Sequence, residues 1–307
     1  MTSFDPRRPF TRAEGIRAGL TWRDLSGPGF RRLFHGVYVS ARITPHQDLL
    51  LEAARKVVGQ EAVASHHTAT RIWGGIAPHT PDVHFTVSPK NVRSRSQGIR
   101  THSGTPPTVA RQSALVTSPT STFLDMARCS DLVDLVVLGD SLIKAKVTTA
   151  SDLEHAAASA RGAGTHQATR AAGYLRAGVD SAMESRSRML LCLAGLPQPV
   201  VNFEVRDSSG VVTRRLDMCY PAYKLAIEYD GRQHAESTHQ WQSDVTRREE
   251  LDHDGWRLVV LLSGDIYRSP ARTLKRLCTA MEDCGMPVPV LSEEWRRHFP
   301  GYPGAGS

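Results

Sequence analysis

The sequence predicts an α+β front with a winged helix-turn-helix at its start, followed by an α/β module on a mixed central sheet. Three observations carry this reading: the basic excess lies in the front, that region alternates short helix and hairpin signals, and the last third reads helix, three strands, helix, strand, helix. The expected boundaries are 8–45 for the winged unit, 46–178 for a mixed α+β region, 179–290 for the α/β module and 291–307 for a tail.

With 307 residues the chain is long enough for two cores. Its 40% hydrophobic and 22% charged residues are ordinary for globular proteins, which excludes disorder, collagen and coiled coil. The net charge of +7 divides unevenly, with 22 Lys and Arg against 13 Asp and Glu up to residue 178 and 16 against 18 beyond it. A basic front suits a polyanion such as DNA, because each neutralised phosphate releases condensed counterions. Five cysteines (Cys129, Cys192, Cys219, Cys278, Cys284) form no CxxC pair, so neither a disulfide framework nor a zinc knuckle is indicated. The opening MTSFDPRRPF lacks the apolar stretch of a signal peptide, and apolar runs such as Leu258–Leu262 are short. A cytoplasmic protein without a membrane partner is expected.

In the winged unit, Thr11 caps a short helix ending at Gly19, Thr21 caps a second, and Pro28-Gly29 marks a turn. The hairpin over 30–39 alternates apolar Leu33, Val37 and Val39 with the basic Arg31, Arg32 and His35. With Arg23 on the second helix, Arg31 and Arg32 become candidate DNA contacts. A helical hairpin bracing the next domain fits the same pattern. A helix from His46 to Val58 follows, then one after Ser65 that contains His66 and His67. These two histidines read as packing or capping residues, since no further ligand stands at a useful spacing. Strands are expected at Val83–Val87 and Ile99–His102, separated by a loop with Lys90, Arg93 and Arg95. Helices over 121–127, 132–143, 151–159 and 167–175 complete the front, and the Ala/Gly-rich 156–164 stretch is a connector.

The back module opens with a helix from about Asp180 to Ala194, capped by Asp180 or Ser181 and ended by Gly195. Glu184 and Arg188 stand four apart on it. Strands follow at 200–206, 211–218 and 224–230, the first two joined by the hairpin signal Asp207-Ser208-Ser209-Gly210. Strand parity sends Ala226, Glu228 and Asp230 to one face. If the preceding strand pairs alongside, Asp217 reaches the same place, and Glu184 approaches from the helix. Such carboxylates stay ionised together only around a cation, and oxygen-only ligands select Mg²⁺ or Mn²⁺. Such ions activate water and neutralise a phosphodiester under attack. The other reading pairs Glu184 with Arg188, makes Asp217 a turn residue and leaves Glu228 and Asp230 solvated at a sheet edge. A buried strand over 257–262 and an amphipathic helix over 270–284 close the module.

The run Arg215-Leu216-Asp217, the string Lys224 to Gly231 (KLAIEYDG) with His234, and the downstream Asp244, Arg247, Leu251 and Gly255-Trp256 resemble the domain related to very-short-patch-repair endonucleases. That family belongs to the PD-(D/E)xK nuclease superfamily, and the resemblance covers roughly Met183 to Glu282. It implies a restriction-endonuclease-like fold and a metal-dependent DNA endonuclease or nickase. Asp217 and Glu228 would be the metal ligands, Glu184 the helix-borne acid, Asp230 a neighbour of the metal, and His234 an acid/base or phosphate contact. The superfamily's lysine, two residues beyond the acidic strand position, is here Asp230, so either the cation comes from elsewhere, with His234, Lys224 and Arg247 as candidates, or the site is weak or inactive. The other account of the polar set Asp244, Arg247 and Arg248 is an ion pair on a helix whose core face is Trp241, Val245 and Leu251.

Phe34 to Val39 (FHGVYV), the Ser65 to Gly74 helix and Val83 to Val87 are similar to type IV abortive-infection antitoxins over about residues 8–145. That similarity implies DNA binding through 11–39. It also opens an alternative function: a non-catalytic regulator or antitoxin with a degenerate nuclease fold and a toxin partner. RNA is disfavoured, because no aromatic stacking platform of the RNP type stands in the sequence. A C2 homodimer would place two sites for a double-strand break, and a monomer would nick.

Overall fold

The computed structural model describes residues 4–88, 96–111, 114–207, 209–231 and 251–301. The chain divides into two compact units, Met1–Arg128 and Cys129–Ser307. The division falls well ahead of residue 178 because the helices over 132–172 pack on one another and on the helix that follows them. The whole basic excess stays in the first unit, which holds 17 Lys and Arg against 8 Asp and Glu.

The first unit begins with β1 (Phe10–Thr11), α1 (Arg12–Arg17), α2 (Trp22–Ser26), β2 (Phe30–Phe34) and β3 (Val37–Ser40), with the strands ordered β1-β3-β2. Both short helices start where their threonines predict. Thr11 accepts the Glu14 N–H while Glu14 reaches back to the Thr11 N–H at 2.6 Å, and Thr21 and Asp24 repeat the exchange. Each exchange satisfies two backbone donors and offsets the poor intrinsic stability of a single-turn helix. Phe10, Leu25 and Tyr38 form a small core beneath them. The hairpin is not the clean alternation expected: Val37, Tyr38 and Val39 are all buried, and the register shifts between Arg32 and Phe34.

The rest of this unit comprises α3 (Gln47–Val58), β4 (Val63–Ala64), α4 (His66–Ile72), β5 (Val83–Val87), β6 (Ile99–Ser103), β7 (Thr108–Arg111), β8 (Ala114–Thr117) and α5 (Pro119–Met126). A five-stranded mixed sheet runs β6-β5-β4-β8-β7, with β6 at one edge. β5 and β6 are parallel, with His84 paired to Arg100 and Thr86 to His102. α4 packs on β5 and α5.

The second unit starts with α6 (Leu132–Lys144), α7 (Ala150–Ser159), α8 (Thr165–Ala172) and α9 (Ala182–Leu193). Its four-stranded sheet is β9 (Val200–Arg206), β10 (Val212–Tyr220), β11 (Leu225–Tyr229) and β12 (Arg257–Leu261), ordered β12-β11-β10-β9. The first three strands are antiparallel, and β12 joins β11 in parallel. The β9–β10 turn forms as its residues predict: the Asp207 carboxylate accepts the Ser209 and Val211 N–H groups, and Gly210 takes φ of 80°. α10 (Ser263–Tyr267) and α11 (Pro270–Asp283) follow β12. Residues 292–299, expected in a tail, dock instead. Ser292 N–H bonds the Ala194 carbonyl, Glu294 pairs with Arg170, and Trp295 and Phe299 are buried. Among the described residues no helix is long and apolar enough to cross a membrane.

Beneath α9 lies a buried ion pair, Arg188 Nη2 to Asp140 Oδ2 at 2.7 Å, from which solvent is fully excluded at Arg188. Asp140 also receives Ser185 Oγ–H and the Arg176 N–H, while Arg188 Nη1 donates to the Tyr174 carbonyl. These donors offset part of the desolvation, yet burial still holds the Asp140 carboxyl above its usual range and Arg188 Nε has no hydrogen-bond partner among the described residues.

Candidate active site

β10 ends and β11 begins around a 3₁₀ turn at Pro221–Tyr223, with Lys224 in the left-handed region (φ 48°). The antiparallel register pairs Met218 with Ile227 and Cys219 with Ala226. One step further along the ladder, Asp217 stands across from Glu228 on the same face, because facing residues of an antiparallel pair share a side. The pairing ends there in a side-chain bond, with Asp217 Oδ2 accepting the Tyr229 N–H at 3.0 Å. Both carboxylates are half-buried. α9 packs on β10 and β11 and carries Glu184 in its first turn.

Glu184 is held by the helix start. Ser181 Oγ caps its N–H at 3.1 Å, and Glu184 Oε2 accepts the Asp180 N–H at 2.9 Å. Burial pushes its carboxyl above the usual carboxylate range, those two hydrogen bonds oppose this, and the charges of Asp217 and Asp180 raise it further. The pairing of Glu184 with Arg188 expected from their spacing does not form; Arg188 turns inward to Asp140.

Asp230 lies just beyond β11, its N–H bonded to the Leu261 carbonyl at 2.8 Å. It opens onto a cleft of about 530 Å³ lined also by Tyr229, Ser263, Gly264, Asp265 and Arg268. Arg268 was not signalled by the sequence pattern, since it caps the short α10, which only the β12 connection brings beside β11. Lys224, by contrast, sits at the far end of β11, four residues or about 13 Å from Glu228, with its Nζ on the Asp254 carbonyl. His234, Asp244, Arg247 and Arg248, with Trp241 and Val245, lie outside the described residues, as do Lys90, Arg93 and Arg95.

Asp217 and Glu228 share a face of the sheet and the Asp217 charge reaches Glu184, whereas Asp230 opens onto the cleft beside Arg268. Among the described residues, the set of metal-binding side chains whose ligand atoms all lie within 4.8 Å of one another is His66, His84 and His102, not the acidic group. His84 and His102 reach His66 from strands distant along the chain, a proximity that spacing in the sequence does not reveal. Ser65 occupies the cap position, but its hydroxyl meets His66 Nδ1 at 3.1 Å and makes no cap bond to the helix. Burial and the neighbouring imidazoles hold His66 down at about 3, and burial takes His84 to about 4, so both are neutral at ordinary pH.

In the first unit, Arg23, Arg31 and Arg32 are exposed, Arg23 on α2 and the others on β2. Arg32 and His35 line a cleft with Gln97 and Gly98. Trp22 is 55% exposed and carries the Arg12 guanidinium 4.6 Å above its ring.

Comparison with known proteins assigns part of this framework. The chain is 28% identical over 263 residues to "Uncharacterized protein MT2308" of Mycobacterium tuberculosis strain CDC 1551 / Oshkosh, covering 84% of this chain and 94% of the relative. The same values hold for "Uncharacterized protein Rv2248" of strain ATCC 25618 / H37Rv. Among solved structures, that of the RV2827C protein from Mycobacterium tuberculosis shows 11% identity, with 66% of this chain and 85% of the other covered; its TM-score of 0.40 is too low to bear on the fold. Residues 200–281 match the family model REase_MTES_1575, a restriction-endonuclease-like family, which supports a domain of that kind over β9 to α11.

Proposed function

We propose that the second unit hydrolyses phosphodiester bonds of DNA as an endonuclease or nickase dependent on Mg²⁺ or Mn²⁺, while the basic first unit holds the nucleic acid. The observation that carries this is the facing of Asp217 and Glu228 across β10 and β11, with Glu184 in electrostatic reach, on the sheet of a restriction-endonuclease-like domain. A set of carboxylate oxygens fits a hard divalent cation and little else. The raised Glu184 carboxyl fits too, because a cation relieves the repulsion that raises it. Asp217, Glu228 and Glu184 would hold the ion, which when bound supplies charge neutralisation at the phosphate and a more acidic water.

The chain's own groups do the rest. The Tyr229 N–H fixes the Asp217 carboxylate, and the Ser181 and Asp180 bonds fix Glu184. Arg268 lines the cleft beside Asp230 and supplies the cationic contact to a phosphate oxygen that the superfamily's lysine gives elsewhere. Asp230 stays beside the ion as an acceptor. His234 remains the candidate acid/base, and Arg247 a candidate backbone contact. On the first unit, the strand-helix-helix-hairpin order supports a winged helix-turn-helix, in which exposed Arg23, Arg31 and Arg32 meet phosphates.

Incubation of the protein with supercoiled plasmid and Mg²⁺ or Mn²⁺ tests this: nicked or linear product is expected, and EDTA should stop it. One observation favours a second reading, a DNA-binding regulator or antitoxin: Asp230 stands where the lysine is expected. An operator footprint with no cutting under either metal would select that reading.

A further inference from the structure

We infer that His66, His84 and His102 form a binding site for a transition-metal ion of the Zn²⁺ class in the first unit. The three come from different elements: His66 opens α4, His84 lies in β5, and His102 lies in the edge strand β6. In the parallel β5–β6 pair, His84 and His102 are each in even register and project to one face, where α4 packs. Their ligand atoms and that of His66 all fall within 4.8 Å of one another. His84 Nδ1 and His102 Nε2 are 3.1 Å apart. That contact is a hydrogen bond whose proton an entering ion would displace; two nitrogens on tetrahedral zinc at about 2.0–2.1 Å stand about 3.3 Å apart, close to the separation the pair already holds.

The backbone and neighbours of His66 also bear on the site. His66 has φ of 49°, a left-handed backbone that residues other than glycine rarely adopt and that the surrounding packing must hold. Its ring is stacked on His102, with 3.5 Å between centroids and 13° between planes; since an imidazole binds a metal within its ring plane, His66 must rotate about its side-chain bonds to join the other two at an ion. His66 Nδ1 also faces Ser65 Oγ at 3.1 Å and Asp125 Oδ2 at 3.8 Å. The Ser65 hydroxyl bonded to Nδ1 leaves Nε2 for a metal, with the Asp125 carboxylate nearby but beyond hydrogen-bond distance. Neutral imidazole nitrogens select Zn²⁺, Cu²⁺, Ni²⁺ or Co²⁺ over the hard Mg²⁺ that carboxylates take. Solvent reaches the site at the half-exposed His102 and completes the coordination. The ion would tie the start of α4 to the two strands.

The test is calorimetric titration of Zn²⁺ into full-length, chelator-stripped protein carrying Asp217→Ala and Glu228→Ala, so that the acidic site contributes nothing. One equivalent is expected to bind and to raise the Tm of the first transition. His102→Gln and His84→Gln should each weaken binding by at least about tenfold, the scale at which even outer-sphere losses act. His102→Gln lies on an edge strand and keeps the test decisive if His84→Gln misfolds; its metal-free melting should match the parent. Absence of Zn²⁺ binding, or binding unchanged by His102→Gln, would overturn the inference.

Discussion

Asp217 on β10 accepts the backbone N–H of Tyr229 on β11 at 3.0 Å, so one acidic side chain closes the strand pair at the point where Glu228 emerges. The bond orients Asp217 before any ion arrives, and the fixed charge is felt by Glu184 on the neighbouring helix. Because Glu184 has its carboxyl raised in the folded chain, its contribution to stability without metal is present in acid and lost as pH rises through that raised value. Glu184→Gln, neutral throughout, should therefore melt higher than the wild-type metal-free protein, with the gap widening from pH 4 to pH 7. The same variant should bind Mn²⁺ more weakly. Equal melting curves across that range would contradict the account of Glu184.

The Arg188–Asp140 pair gives a sharper stability prediction. Asp140→Ala leaves a guanidinium with no access to solvent and without its counter-charge, which should lower unfolding free energy by roughly 3–5 kcal/mol. Urea denaturation measures this directly. A loss below about 1 kcal/mol, the range of exposed pairs, would show that Arg188 escapes to water.

Thiol chemistry reports on the sheet. Burial pushes the Cys219 thiol up to about 12, whereas Cys129 is exposed. Since the thiolate is the reactive form, iodoacetamide at mild alkaline pH should modify Cys129 in the native protein and Cys219 only after denaturation. Comparable rates in mass spectrometry would place Cys219 outside the core.

DNA affinity should depend on the first unit. Replacing Arg23, Arg31 and Arg32 together by Ala should weaken binding and flatten the slope of log K against log salt by about 0.9 for each phosphate that is no longer neutralised. An unchanged slope in a filter-binding or anisotropy series would remove these arginines from the interface.

Local signals made much of this legible in the sequence. Thr11 with Glu14, Thr21 with Asp24 and Asp207 to Gly210 encode caps and a turn within four residues, and β5, β12 and α11 stand where their apolar patterns put them. Elements without a pattern were missed: β4 has two residues, and β7 is exposed along its whole length. Side-chain partners failed at long range. Arg188 prefers Asp140, 48 positions away, to Glu184 one turn back, because burial rewards the partner with more donors around it. His84 and His102 are 18 positions apart and meet only because β5 and β6 run parallel. Parity in β11 did align Glu228 with Asp217, but it said nothing of Arg268, which arrives through α10.

The central claim rests on Asp217 and Glu228 acting together at one ion. The measurement that tests it most directly is the rate of supercoiled-plasmid conversion in Mn²⁺ for wild type, Asp217→Ala and Glu228→Ala, each shown by circular dichroism to be folded. The wild type should nick or cut and both variants should be silent. Cutting that persists in both folded variants would contradict the account.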